Sequence, residues 1–408
     1  MIKSLIQPPL LEACNQHENW ALTGRRKAQP RNNICHPFLA ARTTKLMMVA
    51  LPERAEPEEE EEEGIMSFFF KPSKPKTPQE LVKAIKDSLA ALDSITVAEV
   101  KALEKALEEA EKNIVMMKTM LSGDGELEAN SDQVSQLTLE ICKEDVLALL
   151  INNLPILGWE ARKDLVHCWS ILLRQTVGTT CCCVQYLETH CELLDFLVVC
   201  YDNKDIALNC GNMLRDCIKF STLAKYIIDS PSFLLFFKYV ELPNFDVASD
   251  AFSTFKDLLT KHGTLVSQYL SAHYDEFFGL YEKLLTSANY VTRRQSLKLL
   301  SEFLLEPPNS HIMKRYITEV KHFIVIMTLL RDSSKNIQIS AFHIFKVFVA
   351  NPNKPTQIKM ILAKNQEKLL ELLSSLSVAK GSEDDQFEEE KELIMKEIER
   401  VSLLPLET

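Results

Sequence analysis

A helical pattern recurs along this chain at nearly constant spacing. In the stretch Asn289-Tyr-Val-Thr-Arg-Arg-Gln-Ser-Leu-Lys-Leu-Leu300, Ser296, Leu297, Leu300 and then Phe303 follow Thr292 at the spacing of one buried helical face. Arg293, Arg294 and Lys298 leave that face and put positive charge in reach of something else. The same offsets from Ile206 give Cys210, Gly211, Leu214 and Cys217; from Val247, Ala251, Phe252, Phe255 and Leu258. From Ile337 they give Ala341, Phe342, Phe345 and Phe348, and from Ala161, less well, Leu165, Val166, Trp169 and Leu172. The anchors 161, 206, 247, 292 and 337 stand 45, 41, 45 and 45 residues apart. A helical unit repeating every roughly 40–47 residues is the mark of armadillo or HEAT-type stacks. The chain is therefore expected to be all-α, a curved helical-repeat solenoid with a concave binding face, each unit packing on its neighbours.

Composition agrees. With 408 residues and 46% apolar content there is material for a large core, and only 10 glycines leave little for phosphate-cradling loops or tight hairpins. A net charge of −11 argues against a general nucleic-acid footprint. No apolar run approaches the roughly 20 residues of a membrane span. The 11 cysteines include no C-x-x-C pair, and His167-Cys168 and His190-Cys191 lack zinc-finger spacing. They read as reduced thiols of a cytoplasmic protein, with no basic neighbour to activate the triplet Cys181-Cys182-Cys183.

Residues 1–65 read as a disordered extension. Nine of the 17 prolines fall in residues 1–78, and six consecutive glutamates run from Glu58 to Glu63. Arg25, Arg26, Arg31 and Arg42 hint at a transit peptide, which the acidic run disfavours, and Met66-Ser-Phe-Phe-Phe reads like a natural amino terminus. After a segment at 66–76, the repeat domain is expected over 77–404, with a short tail at 405–408. Thr77-Pro78-Gln79-Glu80 is a capping box that opens the first helix, with Leu81, Ile85, Leu89 and Leu92 as its apolar stripe. A second helix runs from about Val97 to Leu121 and ends at Gly123-Asp-Gly125. Ser131 opens the next, to about Lys143. Lys380-Gly-Ser-Glu-Asp-Asp385 breaks the last repeat, and a charged helix from Phe387 to about Leu403 closes the stack.

No catalytic constellation stands out. Phosphate-loop, nucleophile-elbow, zincin and kinase signatures are all missing, and no cofactor or metal is expected. Asp124-Gly-Glu126 and Glu383-Asp-Asp385 fall short of a calcium loop. What remains is surface. If the template helices line a groove, it presents Lys163, Phe245, Tyr290, Arg294 and Lys298. Tyr290, Arg294 and Lys298 follow one another at i, i+4 steps, and stacking is expected to bring Phe245 alongside. These residues either anchor a protein partner or cap inter-repeat turns and stay in water.

From Met66 to about Leu404 the sequence resembles the mouse-protein-twenty-five family, also called calcium-binding protein thirty-nine. The resemblance rests on Ile206-Ala-Leu-Asn-Cys-Gly211, Phe245-Asp-Val-Ala-Ser-Asp-Ala-Phe252, Thr254-Phe-Lys-Asp-Leu-Leu-Thr260, Asn289 to Leu300, and Ala341-Phe-His-Ile-Phe-Lys-Val-Phe-Val-Ala-Asn-Pro-Asn-Lys354. It implies an armadillo-like, non-catalytic scaffold that binds germinal-centre-type kinases or pseudokinases and holds them active. It further implies kinase contacts at Lys163, Phe245, Tyr290, Arg294 and Lys298. A second family site takes a Trp-Glu-Phe peptide from the partner's tail; Met327, Arg331, Lys364 and Lys368 match it, whereas Pro307, Ser310 and Ile324 depart from it. The alternative is a generic armadillo adaptor, which would want a regular ladder of groove tryptophans and asparagines. Trp20, Trp159 and Trp169 do not form one.

Overall fold

The computed structural model describes residues 76–94, 100–124, 128–376 and 384–403. Residues 1–75, the start of the second helix near Val97, Gly125, Glu126, the break at 380–383 and the tail 405–408 lie outside the described residues. Those described are helices and their turns, with no β-strand among them. None of the helices is long and apolar enough to cross a membrane. The chain divides into two compact units, one ending at Lys261 and one beginning at His262.

The first unit opens on the expected capping box. Glu80 N–H donates to Thr77 Oγ1 at 3.3 Å and Thr77 N–H donates to Glu80 Oε2 at 2.9 Å. Pro78–Ser94 then buries Leu81, Ile85, Leu89 and Leu92 against Val100–Ser122. Gly123, at φ +81°, stops that second helix in the left-handed conformation open to glycine.

Three-helix repeats follow. Ser131–Lys143, Val146–Asn153 and Trp159–Arg174 make the first; Cys182–Thr189, Glu192–Val199 and Ala207–Ile218 the second. Ser221–Asp229, the pair Pro231–Leu235 and Phe236–Tyr239, and Phe245–Thr260 make the third. Like packs on like: Val100–Ser122, Trp159–Arg174, Ala207–Ile218 and Phe245–Thr260 form one row, each touching the next. The recurring sequence pattern is thus the third helix of an armadillo-like repeat. Its template positions are buried, with Val166 and Phe252 half-buried.

Side-chain locks join successive third helices. Trp169 Nε1 donates to the Met213 carbonyl at 3.1 Å. Arg215 Nη2 donates to Asp250 Oδ1 at 2.7 Å and Arg215 Nη1 to Thr254 Oγ1 at 2.9 Å. Tyr201 O–H donates to Asp250 Oδ2 at 2.7 Å and lies 2.8 Å from Thr254 Oγ1. Gly211 sits directly beneath this network: a Cβ there would lie 1.8 Å from Asp250 Oδ2.

The second unit repeats the plan with Gly263–Ala272, Tyr274–Leu285 and Tyr290–Leu305, then Ser310–Tyr316, Val320–Leu329 and Lys335–Ala350. Thr356–Lys364, Gln366–Ser375 and the closing helix Asp384–Leu403 complete it. Tyr290–Leu305 packs on Lys335–Ala350, which packs on Asp384–Leu403. Phe277, Phe278, Tyr281, Phe303 and Tyr316 form one aromatic cluster, and Tyr281 O–H donates to the Ser296 carbonyl at 2.7 Å. The last helix buries Lys391 and holds Glu397 on the buried Lys354 at 2.7 Å. Its charge therefore serves inward contacts as well as an outer face.

Candidate functional site

The third helices share a register that sorts their polar residues into two jobs. The residue after each anchor can turn back to the preceding turn. Arg162 donates to the carbonyls of Leu154 and Pro155 at 3.2 and 2.7 Å, and Arg293 to those of Ser287 and Ala288 at 2.8 and 3.1 Å. Gln338 donates to the Asp332 carbonyl at 2.9 Å. Arg293 also meets Asp332 Oδ2 at 3.3 Å. This corrects the sequence reading of Arg293 as an outward charge. A guanidinium fork satisfies orphan carbonyls of the turn better than it serves a partner from there.

The residue two before the anchor does the opposite. Trp159, Phe245 and Tyr290 each begin a third helix, and they are 63%, 65% and 39% exposed. Their backbones are fixed while their rings stay in water. Asn244 Oδ1 accepts from Val247 N–H at 3.1 Å, Asn289 Oδ1 from Val291 N–H at 2.9 Å, and Gly158 N–H donates to Glu111 Oε1 at 2.7 Å. Two of the three helices add a basic residue one turn on: Lys163 after Trp159 and Arg294 after Tyr290. The same aromatic-plus-basic pair thus occurs once in each unit.

The two pairs differ in readiness. Lys163 Nζ lies 3.1 Å from both carboxylate oxygens of Glu160 and 5.8 Å from the Trp159 ring, so it is paired where the sequence left it free. Arg294 and Lys298 are exposed and make no ion pair or side-chain hydrogen bond among the described residues. Tyr290 Oη accepts from Ser334 Oγ at 3.4 Å. That bond and one with Asn336 hold its phenol below the ordinary range, with the Arg294 charge adding to the effect. Trp159 is the residue that sequence reasoning missed. Its signal was register: it stands two before Ala161, as Phe245 stands before Val247 and Tyr290 before Thr292.

The tail-site residues lie in the second unit. Met327 is 8% exposed, on Val320–Leu329, with Arg331 exposed in the turn beyond. That helix packs against Thr356–Lys364, whose last residue Lys364 is exposed, and Lys368 is exposed on Gln366–Ser375. Burial makes Met327 a floor rather than a protruding anchor. Pro307 and Ser310 are exposed and Ile324 is half-buried. A shallow cleft in the same unit is lined by Leu304, Leu305, Met313 and Ile344 among others, and by none of the four basic or methionine positions. No group of three or more potential metal-ligating side chains occurs among the described residues.

The family model described as Mo25-like matches residues 68–402. A calcium-binding protein 39-like protein of Mus musculus is 46% identical over 323 residues, covering 79% of this chain and 94% of its own. A putative MO25-like protein of Arabidopsis thaliana is 43% identical, covering 84% and 100%. A Mo25-like protein of Schizosaccharomyces pombe is 40% identical, covering 82% and 100%. A designed armadillo repeat protein of known structure aligns over 67% of this chain and 100% of its own, with a TM-score of 0.38 and 13% identity.

Proposed function

The chain belongs to the Mo25-like family, and on that premise we propose that it is a non-catalytic scaffold that binds a germinal-centre-type kinase or pseudokinase and stabilises its active conformation. The observation that carries the reading is the exposed aromatic with a basic residue one turn on, repeated at Trp159–Lys163 and Tyr290–Arg294 with Phe245 in the same register. Large aromatics left in water on fixed helix starts are what a protein interface uses as anchors, and arginine is the favoured charged companion. An active kinase needs its regulatory helix held inward so that the Lys–Glu pair forms. A scaffold that binds only that arrangement shifts the population toward it. Moving a kinase from 1:99 to 99:1 takes about 5.5 kcal/mol of differential binding. Two or three good anchors supply that much. The body that does this is residues 77–404.

Trp159 enters this reading as a kinase contact. Alanine there is expected to weaken kinase binding by about 1–3 kcal/mol, measured by calorimetry. The urea midpoint should stay within error, since the ring is 63% exposed. Unchanged affinity removes Trp159 from the interface.

The second site belongs to the same reading. Arg331, Lys364 and Lys368 offer positive charge to a partner tail ending in Trp-Glu-Phe, over the Met327 floor. Lys364→Glu should weaken binding of such a peptide roughly tenfold, and wild-type binding should fall with added salt. Fluorescence titration of the peptide checks both. Equal affinity for wild type and variant places the peptide elsewhere.

A further inference from the structure

Two pairs of thiols approach each other in the first unit, and they differ in one respect. Cys142 Sγ lies 3.5 Å from Cys183 Sγ. Cys142 is the penultimate residue of Ser131–Lys143 and Cys183 the second of Cys182–Thr189, and these first helices of successive repeats pack on each other. Cys183 is fully buried, but Cys142 is only half-buried. The other pair, Cys200 and Cys210, is sealed, at 1% and 0% exposure. Cys142 keeps part of its surface in solvent, whereas neither member of the second pair does.

We propose that Cys142 and Cys183 are a peroxide-sensitive modification site that closes to a disulfide in the folded protein. Sulfur atoms 3.5 Å apart need only a side-chain rotation to approach the bonding distance of about 2.05 Å. The contact also prepares the attack. The Cys183 S–H favours the thiolate of Cys142 and holds that thiol below its ordinary value, while the same contact and burial push Cys183 up. The half-buried member is therefore the nucleophile and the fully buried member resolves. Cys142 thiolate attacks one oxygen of hydrogen peroxide; the O–O bond breaks, and the departing hydroxide takes a proton to leave as water. Cys142 is now a sulfenic acid. Cys183 sulfur attacks Cys142 sulfur; the S–O bond breaks, and the hydroxide released takes the Cys183 proton to leave as a second water. Two thiols lose two electrons and peroxide gains them. The bond spans 41 residues and staples two successive repeats.

The test treats the folded full chain with hydrogen peroxide, blocks free thiols after denaturation, and maps peptides by mass spectrometry. The expected result is a peptide bearing Cys142 joined to the one bearing Cys181-Cys182-Cys183, with loss of two hydrogens. The link should persist in Cys181→Ser and Cys182→Ser and fall at least tenfold in Cys183→Ser, where dimedone should instead trap Cys142 as its sulfenic acid. Cys168, Cys200, Cys210 and Cys217 should remain thiols. A Cys142 that stays a free thiol, a link unchanged in Cys183→Ser, or oxidation of the sealed pair at the same rate overturns the proposal.

Discussion

Alanine at both Phe245 and Arg294 is expected to leave the chain folded and to abolish its activation of a kinase partner. Each truncation should cost on the order of 1–4 kcal/mol in binding. Together they remove roughly 2–8 kcal/mol, set against the about 5.5 kcal/mol of differential affinity that such a population shift requires. Folding should not notice: Phe245 is 65% exposed, and Arg294 is exposed with no ion pair among the described residues. Circular dichroism and the melting curve should match wild type within about 1 °C, whereas calorimetry should find the kinase bound at least about thirtyfold more weakly. An unfolded variant would make these residues structural. A folded variant that still activates would remove the surface from the mechanism.

Gly211→Ala is expected to act in the reverse sense, on stability and not by contact with a partner. The added methyl would lie 1.8 Å from Asp250 Oδ2 and 2.4 Å from the Tyr201 hydroxyl. Asp250 cannot swing aside cheaply, because Arg215 and Tyr201 hold its two oxygens at 2.7 Å each. Overpacking and loss of those bonds together should cost about 2–4 kcal/mol. The melting temperature should fall by several degrees. Joining it to Asp250→Ala should give less than the sum of the single effects, because one clash and one network are shared. A Gly211→Ala protein as stable as wild type would show that the network yields freely.

The third helices were legible because each is long enough, mostly 16 residues, to display a full apolar stripe beside a polar face. Ser131–Lys143 was legible from its opening serine, but the other short helices of the repeats were not. Val146–Asn153 and Glu192–Val199 have eight residues each, and their apolar residues run nearly all round, so periodicity cannot separate them from a buried strand. The exposure of Tyr290, Arg294 and Lys298 was legible, because an exposed face follows directly from the buried one. It was not legible at Arg293 and Lys163. Arg293 is held by two turn carbonyls and Asp332, and Lys163 meets a neighbouring exposed glutamate; a sequence shows charge without showing which charges have partners. Trp159 was weighed only as a rung of a tryptophan ladder; its likeness to Phe245 and Tyr290 shows once the three are set in one register.

Activation by binding can be read from one titration. A purified germinal-centre-type kinase is assayed at saturating ATP while the full chain is added, with the chain's own ATP consumption recorded alone. Kinase activity should rise and saturate at one chain per kinase, and the chain alone should consume no ATP. A chain that binds the kinase to saturation and leaves its activity unchanged, or that does not bind it at all, would rule out activation by binding.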